Sequence, residues 1–244
     1  MGKFDVIKRY ENNPILTPDD MPAPCCAIYN SGVVKTPDGE YIMASCFEEP
    51  NKTQKIWVSR SRDGIHFIPD PEPVKFSYSE EDREEYEEVV LNYPGHFIGS
   101  WYDPRINPVD GEYYITYCVG GDFNCRIAIG KTKDFKTIEH VSFPLHNQNR
   151  NAVLFPEKIN GEYVMLLDLN DPRKVIGRCA DPILYVKEPY EMIGQVPNVV
   201  FPGALIPEEG GKAKLYYGGA DYVQCFAETN INDLIELCKK GKIS

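Results

Sequence analysis

One phrase recurs along this chain: PDGEYIMASC at 37–46, VDGEYYITYC at 109–118 and INGEYVMLLD at 159–168, with a weaker copy, EGGKAKLYYG, at 209–218. Each copy reads as a two-residue turn followed by β-branched and aromatic residues, the second half of a β-hairpin. The first halves, NSGVVKT, WYDPRINP, NAVLFPEK and FPGALIPE, lie just upstream. A second phrase comes after two of the copies. KIWVSRSRDGIHF (55–67) and RIAIGKTKDFKTIEH (126–140) each read as a strand, then Ser or Thr with a basic residue and Asp, then a new strand; CFAETNINDLIEL (225–237) is a distant version. Two hairpins in succession make a four-stranded unit of about 40–50 residues, the period of a propeller blade. A β-sandwich of similar hairpins is the competing architecture, but sandwiches rarely repeat a phrase at this period. The expected fold is therefore all-β, a β-propeller of four-stranded blades, as a single domain over residues 1–244.

The repeat glycines are Gly39, Gly111, Gly161 and Gly211, and the first interval is long because VKFSYSEEDREEYEEVVLNY (74–93) is inserted in it. Within this acidic insertion SEEDREEYEEVV reads either as a short helix with Ser79 as N-cap or as a solvated loop.

Charge and cysteine usage narrow the partners. Lys plus Arg number 26 against 37 Asp plus Glu, a formal charge of −11, which repels phosphate backbones and makes nucleic acid an unexpected partner. The first 20 residues carry charges throughout and do not read as a secretory signal. No window approaches the roughly 18 apolar residues of a membrane span. A cytoplasmic location without membrane association is expected. The eight cysteines include no CxxC, and none of the four histidines stands at metal-ligand spacing, so buried thiols are expected rather than a metal site. GKT at 130–132 is not a phosphate-binding loop, because Cys125 stands where the first glycine of that motif belongs.

Propellers bind ligands at the central channel, where the loops of all blades converge. The polar residues near the starts of the inner strands are Asn30 with Ser31, Asp103 with Arg105, Asn149 with Arg150 and Asn151, and Asp221. In SWYDPRI (100–106) an acid and a base flank Pro104. By residue type alone Asp103 is a catalytic carboxylate or half of an ion pair with Arg105, since side chains two apart on a strand share a face. Pro104, which cannot donate to a ladder, argues that this stretch is not ordinary mid-sheet strand.

The stretches ENNPILTP (11–18), YNSGVV (29–34), WYDPRI (101–106), NRNAVLFPEKINGEYVML (149–166), LLDLNDPRKVIGR (166–178), EPYEMIGQVPNVVFPGALIP (188–207) and LYYGGAD (215–221) resemble glycoside hydrolase family 130, the β-mannoside phosphorylases and related mannosidases. The resemblance implies a five-bladed propeller that cleaves a mannosyl disaccharide or oligosaccharide with inorganic phosphate and releases mannose 1-phosphate. It implies Asp103 as the general acid, passing its proton to the glycosidic oxygen through a sugar hydroxyl. Phosphate then replaces the second carboxylate and activated water of ordinary inverting hydrolysis. Phosphate calls for fixed cations, for which Arg150 is the match. Asn30, Ser31 and Asp221 match pocket positions, and Tyr102, Arg105, Asn151 and Lys158 complete the expected phosphate- and substrate-binding set. No cofactor is implied beyond phosphate as co-substrate, and a homo-oligomer is compatible.

The chain also departs from that pattern. GEYVMLLDLNDP runs two family segments together at Leu166, and the intervening blade, with an Arg and a phosphate-binding His, is missing. Ala44-Ser45-Cys46 stands where relatives commonly carry an Arg. The expectation is a four-bladed ring whose third blade, about 150–186, is a hybrid. Three readings are open: an active phosphorylase; a β-mannoside hydrolase with Glu48, Glu49 or Asp221 as base; or a non-catalytic carbohydrate-binding or degenerate member.

Overall fold

The repeated phrase folds as the middle of a blade. The structure, a computed structural model, describes residues 6–86, 100–120, 125–144, 152–153, 179 and 182–240. A short strand β1 (Lys8–Arg9) precedes a sheet of β2 (Ala27–Lys35), β3 (Tyr41–Glu48), β4 (Gln54–Ser61) and β5 (Ile68–Pro69), in that spatial order. After β6 (Lys75–Ser77) and α1 (Glu80–Tyr86) come β7 (Trp101–Val109), β8 (Glu112–Val119), β9 (Arg126–Thr132) and β10 (Thr137–Ser142), in a sheet ordered β6-β10-β9-β8-β7. Helix α2 (Pro189–Met192) leads to β11 (Val200–Pro207), β12 (Lys212–Gly219) and β13 (Val223–Asn230), and α3 (Ile231–Lys240) comes last. The fold is an all-β propeller with β2, β7 and β11 innermost. The expected third blade lies almost wholly outside the described residues.

The hairpin turns differ among copies. Val109 pairs with Glu112, and Asp110 and Gly111 have φ of 52° and 79°, a two-residue turn of the type that matches strand twist. The first copy is longer than the two residues expected. Gly39 N–H donates to Thr36 O (2.9 Å) and Thr36 N–H to Glu40 O (2.8 Å), with Gly39 at φ 85°. The second phrase also has a physical reason. Ser61 Oγ accepts from Gly64 N (2.9 Å) and Asp63 Oδ1 from Ile65 N and His66 N (2.8 and 2.9 Å). Thr132 Oγ1 accepts from Phe135 N (2.9 Å) and Asp134 Oδ1 from Lys136 N and Thr137 N (2.8 and 3.0 Å). Both loops close through side-chain acceptors standing in for missing backbone partners.

The distant third version ends differently. A helix, α3, succeeds β13, and β1 takes the outer place by pairing antiparallel with β13 through Lys8↔Glu228 and Arg9↔Ala227. Asn13 extends the seam: its Nδ2 donates to Phe226 O and its Oδ1 accepts from Phe226 N, both at 2.8 Å. In the acidic insertion β6 pairs parallel with β10. The helical reading of the segment after β6 holds, as Ser79 Oγ accepts from Asp82 N (3.0 Å) and Asp82 Oδ2 from Ser79 N (2.8 Å).

Blades are buried on both faces, which is why YIMASC carries few polar residues. On β3, Ile42 and Ala44 pack toward Ile106, Ile115 and Ile138 of the following blade, while Tyr41, Met43 and Phe47 pack with Tyr216 and Phe226 of the last. The inner strands approach more closely still. A β-carbon on Gly203 would lie 2.1 Å from Ser31 O, and one on Gly32 would lie 2.8 Å from Arg105 Cα. Glycine is required at both places because backbone meets backbone.

Candidate active site

Each described inner strand breaks register at the same point. Pairing of β2 with β3 shifts between Tyr29 and Gly32, that of β7 with β8 between Tyr102 and Arg105, and that of β11 with β12 between Pro202 and Ala204. The residues lifted out are Asn30-Ser31, Asp103-Pro104 and Gly203. Asn30 and Asp103 are left-handed, with φ of 49° and 52°, a region Asn and Asp tolerate better than other side chains. A β-bulge re-aims a side chain that the pleat would otherwise bury. Here it brings Asn30 and Asp103 together across adjacent blades: Asn30 Nδ2 donates to Asp103 Oδ1 at 2.9 Å.

Arg105 braces this pair. It is 8% exposed, and its Nη1 donates to Pro104 O (2.8 Å) and Asn30 O (3.2 Å). Its guanidinium lies over the Phe201 ring at 5.4 Å. Burial lowers its pKa, a shift the Asp103 charge opposes. Behind the bulges the two blades repeat a second pairing, Tyr29 opposite Cys46 and Tyr102 opposite Cys118. Tyr29, Tyr102, Cys46, Cys118 and Cys125 form one buried cluster with Ala27. Burial pushes both phenols and the Cys46 thiol upward, with the Asp103 charge acting in the same direction, so these groups stay neutral.

The other predicted residues take more varied places. Ser31 is 1% exposed and its Oγ donates to Gln224 Oε1 (2.9 Å), tying β2 to β13. Tyr102 is 5% exposed in the thiol cluster. Asp221 is half-buried in the β12–β13 turn, where it and Ala220 have φ of 46° and 52° and Tyr222 N donates to Gly219 O (3.0 Å). Arg150, Asn151 and Lys158 lie outside the described residues. Glu48 accepts from Lys52 Nζ and Gln195 Nε2, both at 2.7 Å. Glu49 accepts from Lys55 Nζ (2.7 Å) and Thr53 Oγ1 (2.5 Å), which hold its carboxyl below the usual range against its partial burial. Among the described residues no group of three or more His, Cys, Asp or Glu could hold a metal, and no helix is long and apolar enough to cross a membrane. Sequence reading missed Gln224, which carries no motif. It also missed the close-approach role of Gly32 and Gly203, which aligning NSGVV with FPGAL would have suggested.

Known proteins are similar to this chain in sequence and in fold. The family model for glycoside hydrolase 130, described as β-1,4-mannooligosaccharide phosphorylase, matches residues 4–169 and 164–240. The two matches meet where the join at Leu166 is expected. β-1,4-Mannooligosaccharide phosphorylase of Ruminococcus albus is 26% identical over 316 positions, covering 96% of this chain and 91% of that protein. The alignment is longer than the 244-residue chain, so the relative carries internal residues without counterparts here. 1,2-β-Oligomannan phosphorylase of a Thermoanaerobacter species is 25% identical, covering 93% of this chain and 98% of that one. Among solved structures, β-1,2-mannobiose phosphorylase from Listeria innocua, in complex with β-1,2-mannobiose, superposes with a TM-score of 0.76 at 20% identity, covering 96% and 99% of the two chains.

Proposed function

The chain belongs to glycoside hydrolase family 130, and on that premise we propose that it is a phosphorylase cleaving β-mannosides with inorganic phosphate to give mannose 1-phosphate. The observation that carries this reading is the bulge that lifts Asp103 out of the β7 ladder into the company of Asn30 and Arg105. In the proposed step a phosphate oxygen attacks the anomeric carbon as the bond to the leaving sugar oxygen breaks. Asp103 supplies the proton that the leaving oxygen takes up, relayed by a sugar hydroxyl. One protein carboxylate suffices, because phosphate is the nucleophile and needs no base to activate it.

Two of the three carboxylates that could serve a hydrolase as base are engaged by cations. A water-activating base should be a carboxylate with an affinity for protons. Glu49 is held ionised by Lys55 and Thr53, and Glu48 is bonded to Lys52 and Gln195. Arg105, Arg150 and Lys158 are the proposed cations around phosphate, with Asn30, Asn151 and Asp221 shaping the sugar pocket and the buried Ser31 and Tyr102 supporting it from behind.

The test is incubation with β-1,4- and β-1,2-mannobiose, with and without inorganic phosphate. Phosphate-dependent mannose 1-phosphate is the expected product. Free mannose formed equally without phosphate points to the hydrolase, and no product from any mannoside points to a non-catalytic member.

A further inference from the structure

Asn30 and Asp103 occupy the same place in successive blades. Each comes directly after a tyrosine (Tyr29, Tyr102), stands at the first position of the register break, has a left-handed backbone, and is backed by a tyrosine–cysteine cross-strand pair. The two blades thus carry one structural device twice, once bearing a carboxamide and once a carboxylate, and the amide of the first meets the carboxylate of the second.

The polarity of that contact has a consequence. Asn30 is 7% exposed and gives its Nδ2 to Asp103 Oδ1 (2.9 Å). Among the described residues its own Oδ1 is buried without a hydrogen-bond partner. Turned the other way, the amide would set oxygen against an ionised carboxylate, so the observed orientation is the one Asp103 imposes when charged. A donor on Oδ1 makes that oxygen the poorer place for a proton. We propose that Asn30 is a positioning residue for Asp103, holding Oδ1 as acceptor and favouring the ionised carboxylate. This rests on the reading of Asp103 as general acid. The buried Asn30 Oδ1 lies beside Gly218. A β-carbon at Gly218 would lie 3.2 Å from this oxygen, so the glycine keeps that side uncrowded.

Among the described groups that feel the Asp103 charge are Arg105 on its own strand, Tyr102 beside it, Tyr29 on β2 and Cys46 on β3. The tyrosines and the thiol are neutral at ordinary pH, whereas Arg105 and Asn30 favour the ionised form.

The experiment tracks the Asp103 carboxyl carbon by NMR through an acid titration of aspartate-labelled protein, assigned by its loss in Asp103→Asn. Asn30→Gly is the right deletion, because glycine accepts a φ of 49° and keeps the carbonyl that Arg105 binds. Its Asp103 midpoint should rise by about one pH unit as the charge-assisted bond is lost. Asn30→Asp should give a two-step titration with one strongly raised midpoint, as two carboxylates come to share a proton. The alkaline limb of the kcat profile for mannobiose phosphorolysis should move upward with them. An Asp103 midpoint unchanged in a folded Asn30→Gly protein overturns the inference. A moved midpoint in a protein that forms no mannose 1-phosphate supports the inference while sinking the phosphorylase reading.

Discussion

Two carboxylates in this molecule, each within the field of an arginine, serve opposite ends. Glu191, in α2, is wholly buried. Its Oε1 accepts from Arg9 Nε (2.7 Å) and Tyr217 OH (2.9 Å), and its Oε2 from Lys187 N (2.7 Å), Glu188 N (3.0 Å) and Arg9 Nη2 (3.2 Å). Burial would raise its pKa, but these donors outweigh that and hold it below the usual range. Asp103 is half-buried on a left-handed bulge, and Arg105 spends its Nη1 on backbone carbonyls. The first carboxylate is saturated with donors in ordinary local geometry and fastens β1 to the last sheet. The second is displayed by a backbone conformation that costs about 1–2 kcal/mol for a non-glycine residue, a cost borne for presentation rather than for stability.

Substitutions can break this contrast. Asp103→Asn should lower the phosphorolysis rate by about 10²–10⁴-fold while leaving the denaturation midpoint nearly unchanged, since Asn also accepts the left-handed bulge. Full activity in that variant would remove Asp103 from the mechanism. Glu191→Gln should do the reverse, costing about 3–5 kcal/mol in urea unfolding because Arg9 loses its counter-charge. Pairing Arg9→Met with Glu191→Leu should recover much of that loss, as the apolar pair leaves no charge stranded. Gly203→Ala, by pushing β11 off Ser31, should cost about 1–3 kcal/mol and disturb activity along with stability.

The smallest effect is in pH. Because the folded Glu191 carboxyl sits below its unfolded value, its stabilisation is complete above the unfolded pKa and is lost as pH falls through the folded one. The gap in melting temperature between wild type and Glu191→Gln should therefore stay constant down to about pH 5 and close at lower pH. A gap that widens on acidification would mean that Glu191 is not held ionised by Arg9.

Much of this was legible in the residues. The DGEY copies mark the hairpins, because left-handed turn residues and uninterrupted apolar strands are local requirements of a blade buried on both faces. WYDPRI showed through Pro104 that the stretch is not ordinary mid-sheet strand, and its resemblance to the family motif pointed to Asp103. The S/T-x-D phrase placed the outer turns, since its side chains close them locally. The third outer strand was not legible: β1 reaches β13 from more than 200 residues away, and no local signal announces such a pairing. Nor was the role of Ser31, whose hydroxyl is spent on Gln224 in another blade.

What the sequence by itself determined is the β-propeller class, which depends on short-range spacing and turn chemistry, and, through the motifs that resemble a known family, the family and the proposed acid. Only the tertiary structure decided that Asn30 meets Asp103, that Arg105 braces the bulges through backbone carbonyls, and that Arg9 belongs to Glu191. Those pairings are set by how segments distant in sequence pack together, and a hydrogen bond between such segments leaves no periodicity in the chain that makes it.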